Sequence, residues 1–237
     1  MRVINSTLIH KFGMTIYIAL FLGSVAFGQQ LGDLELMQRN NDEKLRAYAW
    51  KSRTEIAKGG ETKIVRLDHV RYAADGTIQT TQLSVTAPEL PTGGLRGLIA
   101  KRKKEEFGKL VKDLGNLAQS YGKLSPEKLR SFMQTALIRP ENSPHGKLVR
   151  IDGSDVRQPG DSMTVWVDPA SRQQRKVEVK TSYEGKAVRI ISEFKQLPGG
   201  PSYVSRAVIQ YPEEELTITT DNFEHVRGEA VGGVVRP

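Results

Sequence analysis

From Asp161 to Arg227 apolar and polar residues alternate, and the alternation stops and restarts at turn sequences. Met163, Val165 and Val167 share one parity, with Ser162 and Thr164 between them. After Asp168-Pro169-Ala170-Ser171, Val177, Val179, Thr181 and Tyr183 alternate with Lys176, Glu178, Lys180 and Ser182. After Glu184-Gly185-Lys186 come Val188, Ile190 and Phe194, and after Leu197-Pro198-Gly199-Gly200-Pro201 come Ala207, Ile209 and Tyr211. Leu216 and Ile218 begin the last run. A period of two with one polar face predicts strands packed on one side, and short turns between them predict an antiparallel meander.

The same period appears upstream. Trp50, Ser52, Thr54 and Ile56 alternate with Lys51, Arg53, Glu55 and Ala57, and Lys58-Gly59-Gly60-Glu61 reads as a hairpin turn. The return strand, Thr62 to Tyr72, alternates poorly: Val65 and Leu67 fall on one face, Ile64, Val70 and Tyr72 on the other. Ala74-Asp75-Gly76-Thr77 turns into a third strand, Ile78 to Val85, whose polar content predicts an edge position.

Two regions carry a helical period instead. Leu31 to Tyr48 predicts a helix with Leu34, Met37, Leu45 and Tyr48 on its apolar side and a weak middle at Asn40-Asn41-Asp42. Beyond the Pro- and Gly-rich break from Thr86 to Gly94, Phe107, Leu110, Val111, Leu114, Leu117, Ala118 and Tyr121 form a stripe of period 3.6. Ser125-Pro126 opens a second helix, with Leu129, Phe132, Met133, Ala136 and Leu137 as its stripe and Pro140, Pro144 and Gly146 as its stop. Leu148 to Ile151 leads into the meander. Helix, three strands, two helices and about six strands predict an α+β fold. Roughly nine strands in one sheet will curl into an incomplete β-barrel, whose concave face the helices are expected to cover.

The first residues follow another pattern. Arg2, His10 and Lys11 precede a mostly apolar run from Phe12 to Phe27, and Ala26-Phe27-Gly28 places small residues where a signal peptidase reads. The run is shorter than the roughly 20 residues that span a bilayer. Residues 1–28 are therefore expected to be a cleaved signal peptide, the alternative being a retained anchor. Residues 29–227 follow as one domain, and 228–237 as a flexible tail. Export implies the periplasm. The 237-residue chain has no cysteine, so the domain depends on its core rather than on disulfides and has no thiol for an N-terminal lipid.

Charge adds little to this. There are 35 Lys+Arg against 27 Asp+Glu, a mild excess that favours anionic surfaces without requiring one. Lys101-Arg102-Lys103-Lys104 is the densest basic run. It reads as a solvated helix face or as a contact for anionic lipid headgroups. Nucleic acid is not expected, because no aromatic-rich binding face accompanies the run. His69, His145 and His225 lie far apart, so neither a metal nor another cofactor is expected. Asp68 and His69 are strand neighbours and point to opposite faces. There is no G-x-S-x-G elbow. Glu213-Glu214-Glu215 reads as a solvated turn. Trp166, on the opposite parity from its apolar neighbours, is either a lone exposed aromatic or lies beneath a helix edge.

The order of elements resembles the superfamily of the periplasmic lipoprotein carrier and its outer-membrane receptor, the LolA/LolB-like fold. The sharpest local likeness is Met163-Thr164-Val165-Trp166-Val167-Asp168-Pro169 followed by Lys176-Val177-Glu178-Val179. The second is Ile190 to Phe194 leading into Leu197-Pro198-Gly199-Gly200. The chain would be a divergent member, with longer central helices and without the receptor's lipidated cysteine.

The resemblance implies a non-enzymatic carrier that moves a lipoprotein or another acyl-chain ligand towards the outer membrane. Val165, Val177, Val179, Ile190, Ile209 and Ile218 would line the site, with Leu114 and Phe132 on the helices. Lys101, Arg102, Lys103 and Lys104 would be the headgroup contact. The resemblance also implies an arginine on an early strand that holds the closed state, for which Arg53 and Arg71 are placed by location. Two other readings stand beside it. One is an envelope structural or protein-interaction module with a filled core. The other is a hydrolase whose site is assembled only in space.

Overall fold

In a computed structural model, described over residues 40–88, 94–122, 124–143, 146–171 and 173–228, ten antiparallel strands form one open sheet. The strands are β1 (Tyr48–Lys58), β2 (Glu61–Tyr72), β3 (Ile78–Thr86), β4 (Leu137–Ser143), β5 (Gly146–Ser154), β6 (Ser162–Asp168), β7 (Gln173–Tyr183), β8 (Lys186–Gln196), β9 (Ser202–Tyr211) and β10 (Leu216–Arg227). Two helices, α1 (Gly94–Gly122) and α2 (Pro126–Thr135), separate β3 from β4. The sheet order is β3-β2-β1-β10-β9-β8-β7-β6-β5-β4. It is a meander interrupted once: β10, the last strand, returns to pair with β1. The sheet does not close, and β3 and β4 are its edges.

The turns follow local chemistry. Gly59 and Gly60 at the β1–β2 hairpin have φ of +62° and +76°, which glycine reaches without a Cβ penalty. Asp168 accepts from Ala170 N at 2.9 Å and from Arg175 Nη2 at 2.7 Å, fixing the β6–β7 turn. At α2, Ser125 Oγ accepts from Lys128 N, and Pro126 fills the first turn, as expected from Ser125-Pro126.

Four expectations are corrected. The segment expected to be helical from Leu31 to Tyr48 is helical over 40–45; Tyr48 already belongs to β1, and residues 31–39 lie outside the described residues. The second helix ends at Thr135, so Leu137 does not belong to its buried stripe. It starts β4 and is 62% exposed. Pro140 sits within that strand rather than stopping a helix, which an edge strand tolerates because one row of its N–H groups needs no partner. The sheet therefore has ten strands, not nine. Residues 1–28 and 229–237, where the signal peptide and most of the tail were expected, lie outside the described residues, as does His145.

One buried cluster joins helices and sheet. Val111, Leu114 and Tyr121 of α1 and Phe132 of α2 share it with the inward residues of β5 to β10 and with Ile56 of β1. The contact is tightest at Gly153 on β5, where an added Cβ would lie 2.4 Å from the Phe132 ring. Only glycine lets α2 approach so closely.

Candidate functional site

The pairing registers assemble the inward face row by row. Gly153 pairs with Met163, Met163 with Val179, Val179 with Ile190, Ile190 with Ile209, Ile209 with Ile218, Ile218 with Ile56, and Ile56 with Ile64. This is one apolar ladder crossing β5 to β2. The neighbouring row changes character along its length: Ile151, Val165, Val177, Ser192, Ala207, Thr220, Thr54 and finally Arg66.

Every residue expected to line the site is placed on these rows or against them. Val165, Val177, Val179, Ile190, Ile209 and Ile218 are buried on one face of the sheet, and Leu114 and Phe132 are buried in the same cluster. The geometry brings all eight together. Lys101, Arg102, Lys103 and Lys104 are not part of that constellation. They are exposed near the start of α1, where Arg102 Nε donates to Glu106 Oε1 at 3.0 Å and Lys101 Nζ lies 4.0 Å from Glu105.

The two ends of α1 differ. Towards its C-terminus, Tyr121 Oη donates to Asp161 Oδ2 at 2.6 Å and lies 2.7 Å from Thr181 Oγ1. Asp161 also accepts from the backbone N–H of Val156, Arg157 and Gln158 at 2.6, 3.0 and 3.1 Å. Burial, and then the Asp161 carboxylate, push the Tyr121 hydroxyl above its ordinary range, so it stays a donor. About two turns earlier in α1, Tyr183 Oη donates to Asp113 Oδ2 at 3.0 Å. Burial and then Asp113 push its pKa up to about 12. Nearer the N-terminus, Leu98 is 66% and Ile99 50% exposed. The sequence patterns pointed to the Tyr121 stripe but not to this polar knot, because its members are spread over three elements.

A second feature was not anticipated. Arg66 and Asp68 sit on the inward parity of β2 and are 3% and 4% exposed. Arg66 Nε donates to Asp68 Oδ1 at 2.7 Å. Around them lie Thr54 and Thr220, whose hydroxyls meet at 3.2 Å, with Ser52 and Asn222 in the next row. Asn222 Nδ2 donates to Val204 O at 2.9 Å. Arg66 Nη2 and Asn222 Oδ1 have no hydrogen-bond partner among the described residues. Arg53 and Arg71, placed by location alone, are on the outward parity: Arg53 pairs with Glu55 beside it, and exposed Arg71 bonds Gln79 across to β3. The buried early-strand arginine is Arg66. Its signal was the broken alternation of Thr62 to Tyr72, which reflected charges placed inside rather than a weak strand.

Beyond that band, Trp50 stacks on His225 at 5.7 Å, and Tyr203 lies 4.0 Å from the same imidazole. Burial lowers the His225 pKa to about 4. Trp166 is neither beneath a helix nor alone. It lies on the outward face with Lys176 Nζ 4.6 Å and Arg150 Cζ 5.6 Å from its ring, and its Nε1 donates to Glu141. Glu214 is held between Lys58 and Lys186 at 3.2 and 3.1 Å. Asp68 and His69 diverge as expected, Asp68 inward to Arg66. Among the described residues there is no group of three or more His, Asp or Glu placed to hold a metal. No helix there is long and apolar enough to cross a membrane.

No family model matches the sequence, and no curated protein does. Among the solved structures similar to the chain are the following. A DUF1329 family protein from Desulfovibrio piger is 10% identical, with a TM-score of 0.42, 86% of this chain and 93% of that chain covered. A domain assigned to outer membrane lipoprotein sorting, from Vibrio parahaemolyticus, is 10% identical, with a TM-score of 0.42, 84% of this chain and 93% of that chain covered. A LolA superfamily protein from Nitrosomonas europaea is 12% identical, with a TM-score of 0.32, 82% of this chain and 94% of that chain covered.

Proposed function

We propose that this protein is an exported, periplasmic, non-enzymatic carrier that holds the acyl chain of a lipoprotein or another lipid against the inward face of its sheet. The observation that supports this reading is the unbroken apolar ladder from Met163 to Ile64, which shares a buried cluster with Leu114 and Phe132 of helices whose polar anchors lie at one end. In this reading the sheet curls as an incomplete barrel, and α1 with α2 covers its concave face. The knot at Tyr121 and Asp161 is the pivot. The far end of α1 lifts, and a chain takes the place of Leu114 and Phe132 against Val165, Val177, Val179, Ile190, Ile209 and Ile218. Each methylene moved from water contributes roughly 0.8 kcal/mol. Arg66 answers the resemblance's requirement for an arginine that steadies the closed state. Lys101 to Lys104, beside exposed Leu98 and Ile99, suit an approach to an anionic membrane surface.

One observation favours a second reading, an envelope structural or interaction module with a filled core. Phe132 is wedged on Gly153 with no room for even a methyl group. A single bulky substitution separates the two. Val179→Trp blocks binding in a carrier while the fold survives. In a filled core the same change overpacks and destabilises by about 1–3 kcal/mol. A fluorescent fatty acid titrated into delipidated wild type and mutant, with a thermal melt of each, reads both. Saturable wild-type binding that is lost in a well-folded mutant supports the carrier. No saturable binding by wild type, together with a badly destabilised mutant, overturns it in favour of the filled core.

A further inference from the structure

The interior band of Arg66, Asp68, Thr54, Thr220, Ser52 and Asn222 is polar where a purely apolar carrier needs nothing polar. All six are at least nine-tenths buried. The Nε bond to Asp68 points the Arg66 guanidinium along β2, towards the row that holds Asp68, Ser52 and Asn222. Strand spacing puts β2 and β10 roughly 10 Å apart with β1 between them. One unpartnered donor, Arg66 Nη2, and one unpartnered acceptor, Asn222 Oδ1, thus belong to the same buried band. Buried polar atoms in a native fold are ordinarily satisfied, so such a pair calls for a ligand group or water.

Charge narrows the choice. Asp68 already neutralises Arg66, and a ligand carboxylate arriving here would meet Asp68 as well. A neutral head fits better: a carbonyl oxygen to accept from Arg66 Nη2 and a hydroxyl to donate to Asn222 Oδ1. Ile56, two residues from Thr54 on β1, belongs to the apolar ladder beside the band, so head and chain would be held continuously.

We propose that this band is a head-group subsite for a neutral acyl ester bearing a free hydroxyl, the monoacylglycerol class. The proposal rests on the acyl-chain reading above and adds the ligand's polar end to it. It is tested by displacing N-phenyl-1-naphthylamine from the delipidated protein with 1-monolauroylglycerol, laurate and methyl laurate, which share one chain. Monolauroylglycerol should bind about tenfold tighter or better than the other two, because a site built to pair a hydroxyl rejects analogues that lack it. Asn222→Leu removes the acceptor. Arg66→Lys keeps a cation beside Asp68 but loses the planar fork. Asn222→Leu should erase the preference while leaving methyl laurate affinity unchanged, Arg66→Lys should weaken both esters because both offer the carbonyl, and circular dichroism melts verify that each variant folds. Equal affinities for all three ligands in wild type, or a preference for monolauroylglycerol that survives Asn222→Leu, would overturn the subsite and leave chain binding standing, with the band satisfied by internal water. Failure of all three to displace the probe, or of the probe to bind, would remove the acyl-chain reading and this proposal with it.

Discussion

The inward face of one sheet holds two regions of opposite chemistry. On β5, β6 and β7 it is Ile151, Met163, Val165, Val177 and Val179, in one buried cluster with Leu114 and Phe132. On β10, β1 and β2 the row through Val165 and Val177 ends in Thr220, Thr54 and Arg66. Both regions are buried to the same degree, so burial alone does not distinguish them. They differ in how a change should be felt. The apolar region is held by area and fit, and responds to volume. The polar region is held by pairing, and responds to the loss of a partner.

The largest effect is expected from separating Arg66 from Asp68. Asp68→Leu leaves a buried cation unpaired and should cost about 3–5 kcal/mol in a urea melt, whereas Arg66→Met with Asp68→Leu should recover most of that loss. A double variant as unstable as the single one would mean that the band is held by something other than this pair. Next come Leu114→Ala and Phe132→Ala in the apolar region, each about 2–5 kcal/mol through lost transfer energy and the cavity left behind. Melts showing less than about 0.5 kcal/mol for both would mean that the helices do not contribute to the core. Gly153→Ala follows at about 1–3 kcal/mol, since the new Cβ must displace the Phe132 ring. Its sign sharpens the comparison: no cost would mean that α2 shifts freely, as a movable cover should.

The smallest effect is a pH slope beyond the polar band. His225 is neutral in the fold, with its pKa lowered by burial from 6.5 to about 4. The unfolded chain binds the proton first, so stability is fully present above about pH 6.5 and falls as pH drops towards 4. His225→Gln should flatten the part of the stability–pH curve between those values. The carboxylates act lower: Arg175 and the turn hold Asp168 at about 2, so its contribution is lost between its ordinary 3.8 and that value. An unchanged slope in the His225 variant would place the acid sensitivity elsewhere.

The apolar region was legible in the sequence because parity and packing coincide there. Val165, Val177, Val179 and Ile190 alternate cleanly, and the 3.6-residue stripe through Leu114 shares their buried cluster. The polar region was not, because inward charge and failed alternation look the same in one dimension. Arg66 and Asp68 share parity with Val70, and only the pairing with Thr54 and Ser52 shows that the parity is inward. β4 was missed for a different reason. Leu137 and Ile138 are exposed on an edge, so they follow neither burial period, and Pro140 carries the usual sign of a helix stop. Gly153 lies beyond the segment read from Leu148 to Ile151, and nothing along the chain marks the Phe132 ring that packs against it.

The central claim is that a chain reaches the inward face. Methyl-resolved NMR of the delipidated protein, with a stearic acid carrying a nitroxide near its tail, tests it directly. The account predicts broadening of Val165, Val177, Val179, Ile190, Ile209 and Ile218 methyls at stoichiometric ligand, while Ile191 and Val208, paired with each other on the opposite parity, stay sharp. Broadening confined to exposed Leu98 and Ile99, or spread equally over both parities, would contradict it.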